Sequence, residues 1–418
     1  MTVKTERDMI QEGGLPLSGI KVVEFSHMVM GPSTGVVMAD LGAVVVKVEP
    51  IGGDRTRKLL GSGAGYFPMY NRNKQSIAID LKSPEGVAAA KRLVDQADVL
   101  IENFRPGALA KLGLGPDDFA QSNPGLIYYS AKGFLTGPYE NRAALDEVAQ
   151  MMGGLAYMTG PSGRPLRAGA SVIDVTGGMF GVIGILAALE QRHRTGKGAV
   201  VRSSLYETTA FLVGQHIAQL AVTGNAARPM PERISAWAIY DVFETARPEE
   251  QVFIGVVSDG QWQAFTKTFG LDDLAADPAL AENNARVLAR EALLPRVREL
   301  AKGFTREALL AKLEESGVAF APIARPQDLL EDAHLNANGA LVDLTLTDGR
   351  SVRLPALPVE IDGVLPGVRH DLRSPGEDSE DVLGGWGFGA DEIEALLASG
   401  AIEGLREPAD SPLTDSAK

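Results

Sequence analysis

Cysteine is absent from the 418 residues, which excludes disulfides, a thiolate nucleophile and any cysteine-ligated metal site. Histidine is scarce: His27, His193, His216, His334 and His370 are the only five. None has a further ligand at metal-binding spacing, so no metal is expected. Positive charge is in deficit, with a net charge of −14, which argues against general nucleic-acid binding. Apolar runs such as Met179–Leu189 are too short to span a bilayer, and the polar leader at residues 1–14 contains no apolar secretion core. A cytoplasmic location without a membrane partner is expected. Nucleotide-binding fingerprints are missing too. The stretch Gly61-Ser-Gly-Ala-Gly65 follows no strand and carries no Gly-Lys pair, so it reads as a mobile loop. There is no internal repeat.

What is present suffices for a full core. Hydrophobic residues make up 45% and charged residues 22%, and the length suggests two or three domains. Strand-type runs alternate with helix patterns through the first third: Gly19–Phe25, Val44–Val48, Ser76–Leu81, Ala97–Phe104 and Leu126–Ser130. Such alternation implies parallel βαβ units in a doubly wound α/β sheet. Pro106–Leu112 and Pro116–Gln121 read as short helices. Ligands of such sheets bind beyond the carboxyl ends of the strands, which here are residues 26–32, 49–57, 82 and 103–107. The acidic chain is locally basic there: residues 47–111 hold 11 Lys/Arg against 7 Asp/Glu, a net of +4. Arg55, Arg57, Lys58, Arg72, Lys74, Lys82, Arg105 and Lys111 lie largely in those loops, which suggests a phosphorylated small molecule.

A Pro- and Arg-rich linker at residues 225–236 leads to a second compositional unit. It has a strand at Val252–Val257, several amphipathic helices and a strand at Val318–Ile323. A hairpin pattern follows around Asp348-Gly349-Arg350, then a helix at Ala390–Ser399 and a polar tail that reads as disordered. The division is therefore 1–224, 225–335 and 336–418.

The stretch Arg167–Gly196 combines one carboxylate, Asp174, with a Gly- and Ala-rich helix ending at His193-Arg194-Thr195-Gly196. Gly177, Gly178, Gly181 and Gly184 each weaken a helix by about 0.5–1 kcal/mol relative to Ala, so something must approach that face closely. Asp174 is placed just before the helix start, where free amides and the helix dipole favour its ionised form. By itself this stretch admits two roles for Asp174, a helix cap or a reactive carboxylate.

Several motifs occur in order: Ala39-Asp-Leu-Gly-Ala43 with Lys47-Val-Glu-Pro50, Gly53-Asp-Arg-Thr-Arg57, Asn71-Arg-Asn-Lys74 with Asp80-Leu-Lys82, Glu102-Asn-Phe-Arg-Pro-Gly107, Gly184–Leu189 and Arg194-Thr-Gly-Lys-Gly198. Together they resemble the class III CoA-transferase family (CaiB/BaiF type), over nearly the whole chain. The family includes formyl-CoA transferase, carnitine CoA-transferase and α-methylacyl-CoA racemase. The resemblance implies a Rossmann-like large domain formed by both chain ends, an inserted smaller α+β domain, and an interlocked homodimer. It places the catalytic aspartate on Asp174, and coenzyme A contacts on Val29, Met30, Lys82, Asn103, Phe104, Arg105 and Lys111. Acyl-CoA and a carboxylic acid would be the substrates, with no separate cofactor.

The implied chemistry passes through an aspartyl anhydride and an aspartyl–CoA thioester. The amides near Gly177–Gly178 are candidates to steady the oxyanion, and their bare backbone would let the thioester approach. Racemase members need a histidine at the position of Leu145, which carries no proton. Neighbouring Asp146 is either functional or a cap for the next helix. Val29 stands where formyl-CoA transferase has glutamine, and Arg228–Tyr240 lacks its glycine run, which points away from formyl-CoA and oxalyl-CoA. A CoA-binding protein without catalysis is the reading from another class.

Overall fold

The computed structural model describes residues 14–233 and 235–405. Most of the polar leader and the polar tail lie outside the described residues. The apolar runs form strands that are mostly buried on both faces, the edge strand Ala199–Ser204 being half exposed. They are β1 (Lys21–Phe25), β2 (Val44–Glu49), β3 (Lys74–Ile79), β4 (Val99–Glu102), β5 (Ile127–Lys132) and β6 (Ala199–Ser204). They pair in the order β3-β2-β1-β4-β5-β6, all parallel. The short strand Ile402–Glu403 closes the β3 edge in antiparallel sense. Because β1 is flanked by β2 on one side and β4 on the other, the winding direction reverses between β1 and β4, and a crevice opens at their carboxyl ends.

Helices cover both faces. α1 (Met30–Asp40), α2 (Pro84–Val94), α3 (Asp146–Met152) and α4 (Val172–Thr195) carry the argument below. α1 and α4 pack on one face through Met38, Val45, Val99, Ile127 and Ile185. α2 and the helices Ser379–Gly385 and Ala390–Ala398 pack on the other through Leu93, Leu100, Leu383 and Trp386. α2 starts where it does because Ser83 Oγ accepts from the amide of Gly86 at 2.9 Å and Pro84 occupies the first turn.

The glycines of α4 are explained by packing. A Cβ on Gly178 would stand 2.2 Å from Ser33 Oγ, on Gly181 2.4 Å from Tyr129 Cζ, and on Gly184 2.6 Å from Val201 Cγ1. The close approach required by the sequence is therefore that of α1, β5 and β6. By length and composition α4 is the one helix among the described residues that passes for a membrane span, contrary to what the short apolar run Met179–Leu189 suggested. Its glycine face is nonetheless seated on the sheet.

Among the described residues two compact units emerge, residues 14–231 with 334–405, and the stretch between them. The second unit has an antiparallel sheet of β7 (Tyr240–Glu244), β8 (Gln251–Gly255) and β9 (Ala319–Pro322). Its helices close over Trp262, Phe265, Leu309 and Leu313. Strand β7 escaped the sequence reading. Gly61–Gly65, read as a mobile loop, is a 3-10 turn that runs into the helix Tyr66–Tyr70. The expected helix at Pro106–Leu112 shrinks to one 3-10 turn at Ala110–Leu112.

Candidate active site

Asn103, the first residue after β4, bridges the switch crevice. Its Oδ1 accepts from the His27 amide at 3.1 Å, and its Nδ2 donates to the His27 carbonyl at 2.7 Å. The His27 ring meets Phe104 edge-on with centroids 5.8 Å apart. Burial pushes this imidazole below its ordinary range; Asp54 opposes the shift and Lys47 adds to it. Sequence reasoning singled out Asn103 and Phe104 but overlooked His27, although it is the one histidine at a strand end.

The other expected coenzyme A contacts are sorted by burial. Val29 and Met30 are 1% and 5% exposed, so their side chains belong to the core and only their backbone can serve a ligand. Among the described residues nothing accepts from the amides of Val29, Met30 or Gly31 at the α1 start. Lys82, Arg105 and Lys111 are exposed. Lys82 follows β3 and Arg105 follows β4, so three inter-strand spacings, roughly 14 Å, separate them. The site they outline suits an extended ligand. Arg57, Arg72 and Lys74, by contrast, are committed to ion pairs with Glu49, Asp40 and Glu24 at 2.6–2.8 Å and leave the set of phosphate ligands.

Asp174 does not precede α4. It sits in the helix's first turn, with Ser171 at the cap position and no cap bond from the serine side chain. The first-turn amides are all occupied: Val172 donates to Ala170, and Ile173 and Asp174 donate to Asp146 Oδ2 at 2.8 and 3.1 Å. Asp146 is buried, and it caps α4 from the start of α3. Gln150 fastens the same assembly, donating to Asp146 Oδ1 and accepting from the Ala168 amide at 2.8 Å. The amides of Gly177 and Gly178 lie inside the helix ladder, and a Cβ on Gly177 would meet Met30 Cε at 2.8 Å. Neither the oxyanion role nor the open thioester approach expected at these glycines fits their position.

The Asp174 carboxylate itself has no hydrogen-bond donor and no ion-pair partner among the described residues. Burial, and after it the charges of Asp146 and Glu147, push its carboxyl up to about 7, with Arg167 acting the other way. This overrides the stabilising pull of the helix start. Arg167 is engaged by Glu147 and stands 3.8 Å from Asp146. Tyr70 lies within the field of Asp174, its phenol raised first by burial and then by that charge. Tyr66 Oη is 3.4 Å from Ser171 Oγ. The two tyrosines, four apart on one short helix, were missed; their spacing was the available signal.

A cavity of about 220 Å³ lies beside the crevice, lined by Glu102, Arg105, Ser130, Lys132 and Arg202 among others. It contains Arg105 and does not reach Asp174.

The family model of CoA-transferase family III matches residues 17–378. A succinate–glutarate CoA-transferase of Agrobacterium fabrum is 34% identical over 383 residues, covering 88% of this chain and 95% of its own. A succinyl-CoA–D-citramalate CoA-transferase of Chloroflexus aurantiacus is 33% identical, covering 93% and 98%. Among solved structures, a CAIB/BAIF family protein from Brucella suis superposes with a TM-score of 0.79 at 33% identity, covering 89% of this chain and all of that one.

Proposed function

The chain belongs to CoA-transferase family III, and from that premise we propose that it moves coenzyme A from an acyl-CoA donor to a carboxylic acid, with Asp174 as the nucleophile. The observation that carries this reading is a half-buried carboxylate with no donor, raised to about 7. A merely capping aspartate would have its oxygens bonded to amides, as those of Asp146 are. Poorly solvated and unpaired, the ionised Asp174 is a strong nucleophile at and above neutral pH.

Asp174 attacks the thioester carbonyl and expels CoA thiolate, forming an acyl–aspartyl anhydride. The thiolate then attacks the aspartyl carbonyl, and the first acid leaves as its carboxylate. A second carboxylate attacks the aspartyl–CoA thioester, forming a new anhydride and freeing thiolate. That thiolate takes the acyl group and restores Asp174. No net proton is consumed. The unpaired amides at the start of α1, whose Met30 packs on Gly177, are the donors this reading offers to the developing oxyanion. Asn103, Phe104, Arg105, Lys82 and Lys111 are the coenzyme A contacts, and CoA itself is substrate, so no other cofactor is involved. Several relatives carry dicarboxylates in their names, which makes short dicarboxylic acids the acceptor class to try first. The chain works as a homodimer, interlocked as the family resemblance implies. The side chains of Ile183, Phe211, Ile217 and Val222 are 60–85% exposed, an apolar surface of the kind a second copy covers.

The deciding experiment is chemical trapping. Incubation with succinyl-CoA followed by hydroxylamine is expected to leave a hydroxamate within the peptide Ser171–Gly178, located by mass spectrometry. A hydroxamate on another residue, or an active Asp174→Ala enzyme, returns Asp174 to a structural role.

A further inference from the structure

Ser26, His27 and Met28 follow β1, and the backbone of each is held by a side chain from a different element. Lys47 Nζ, on β2, donates to the Ser26 carbonyl at 2.6 Å. Asn103, after β4, holds both polar groups of His27. Thr56, from the turn Arg55–Lys58, accepts from the Met28 amide through Oγ1 at 3.0 Å. Met28 needs the hold, because its φ is +65°. That left-handed conformation strains a residue bearing a Cβ and persists only where its surroundings impose it.

The Thr56 hydroxyl is itself aimed. Its proton is committed to Asp54 Oδ1 at 2.8 Å, which leaves a lone pair for Met28. Asp54 is fixed in turn by its own amide on Glu49 Oε2 at 2.8 Å and by Lys47 at 3.3 Å. Thr56, Lys47 and Asp54 are 2%, 2% and 6% exposed, so none of them reaches a ligand. Buried charges of this kind are weak sources of stability and are well suited to selecting one backbone conformation. The turn leaves His27 and Met28 exposed, while Val29, Met30 and Gly31 behind it are buried.

We propose that Thr56 is a positioning residue for coenzyme A: its hydroxyl latches Met28 in the left-handed conformation and so shapes the ligand-facing turn without touching the ligand. The proposal rests on the transferase reading for its ligand. Thr56→Val keeps the shape and removes the hydroxyl, and Thr56→Ser keeps the hydroxyl. In Thr56→Val, amide exchange at Met28 should quicken at least about tenfold and the Kd for CoA, measured by calorimetry, should rise about tenfold. Thr56→Ser should restore both exchange and affinity. The latch is overturned if Met28 exchange or CoA affinity is unchanged in Thr56→Val, or if the serine variant is as impaired as the valine one. A wild-type chain that binds no CoA overturns the transferase reading instead, and the Met28 exchange rates then still decide whether the latch exists.

Discussion

Asp146 Oδ2 accepts from the backbone amide of Asp174 at 3.1 Å, so two carboxylates 28 residues apart share one helix start. Asp146 holds the first turn in place and its charge makes ionisation of Asp174 harder. One residue thus fixes the position of the proposed nucleophile and, after burial, contributes most to raising its proton affinity.

Asp146→Asn should separate these two effects. It retains an oxygen for the α4 amides and removes the negative charge, so the Asp174 carboxyl falls toward the usual carboxylate range. The wild-type acid limb of kcat/KM is expected at about 7, with activity rising as pH increases and Asp174 ionises. In the variant that limb should move down by roughly one pH unit, as read from rates between pH 5 and 9. An unmoved limb would mean that Asp146 does not act on Asp174.

Asp174 should weaken the fold when ionised. Its folded pKa lies above the unfolded one, so the unfolded chain gives up its proton first, and stability falls as pH rises from about 4 to about 7. Asp174→Asn is expected to melt a few degrees higher than the wild type at pH 8 and about equally at pH 4, in paired thermal scans. A lower melting temperature at pH 8 would indicate that the carboxylate has a stabilising partner.

Gly181→Ala tests why α4 is glycine-rich. Its Cβ would meet the ring of the fully buried Tyr129 at 2.4 Å, with no flexible chain end to give way. A loss of about 1–3 kcal/mol is expected from urea unfolding, although alanine is the better helix former. Equal or greater stability would show that α4 sits farther from the sheet.

Lys82→Ala and Arg105→Ala should each weaken CoA binding several-fold, more at low salt than at high. The two sites lie roughly 14 Å apart across the sheet, so the double variant should lose the sum of the two free energies to within about 0.5 kcal/mol. Calorimetry on the four proteins checks this, and unchanged affinity in both single variants would place the phosphates elsewhere.

Leu145 is 62% exposed and carries no titratable group. Turnover in heavy water should therefore leave the proton alpha to the thioester unexchanged, as followed by mass spectrometry of the product. Deuterium incorporated at the rate of turnover would mean racemase-type chemistry.

Local patterns were enough for much of this architecture. Strands buried on both faces are near-continuous Val/Ile/Leu runs, so β1 to β5 were legible from residue type, and with them the strand-end loops that hold Asn103, Arg105 and Lys82. Asp174 stood out as a lone carboxylate beside a glycine-rich helix, and the family followed from its motifs. The tertiary structure alone decided what those features do. The α4 glycines accommodate Ser33, Tyr129 and Val201, which come from distant stretches of the chain. Arg57, Arg72 and Lys74 resemble phosphate ligands in a string of letters, but internal carboxylates consume them. The proton affinity of Asp174 depends on burial and on Asp146, 28 residues earlier. Burial and through-space charge depend on what the fold brings close, and no spacing along the chain encodes that distance.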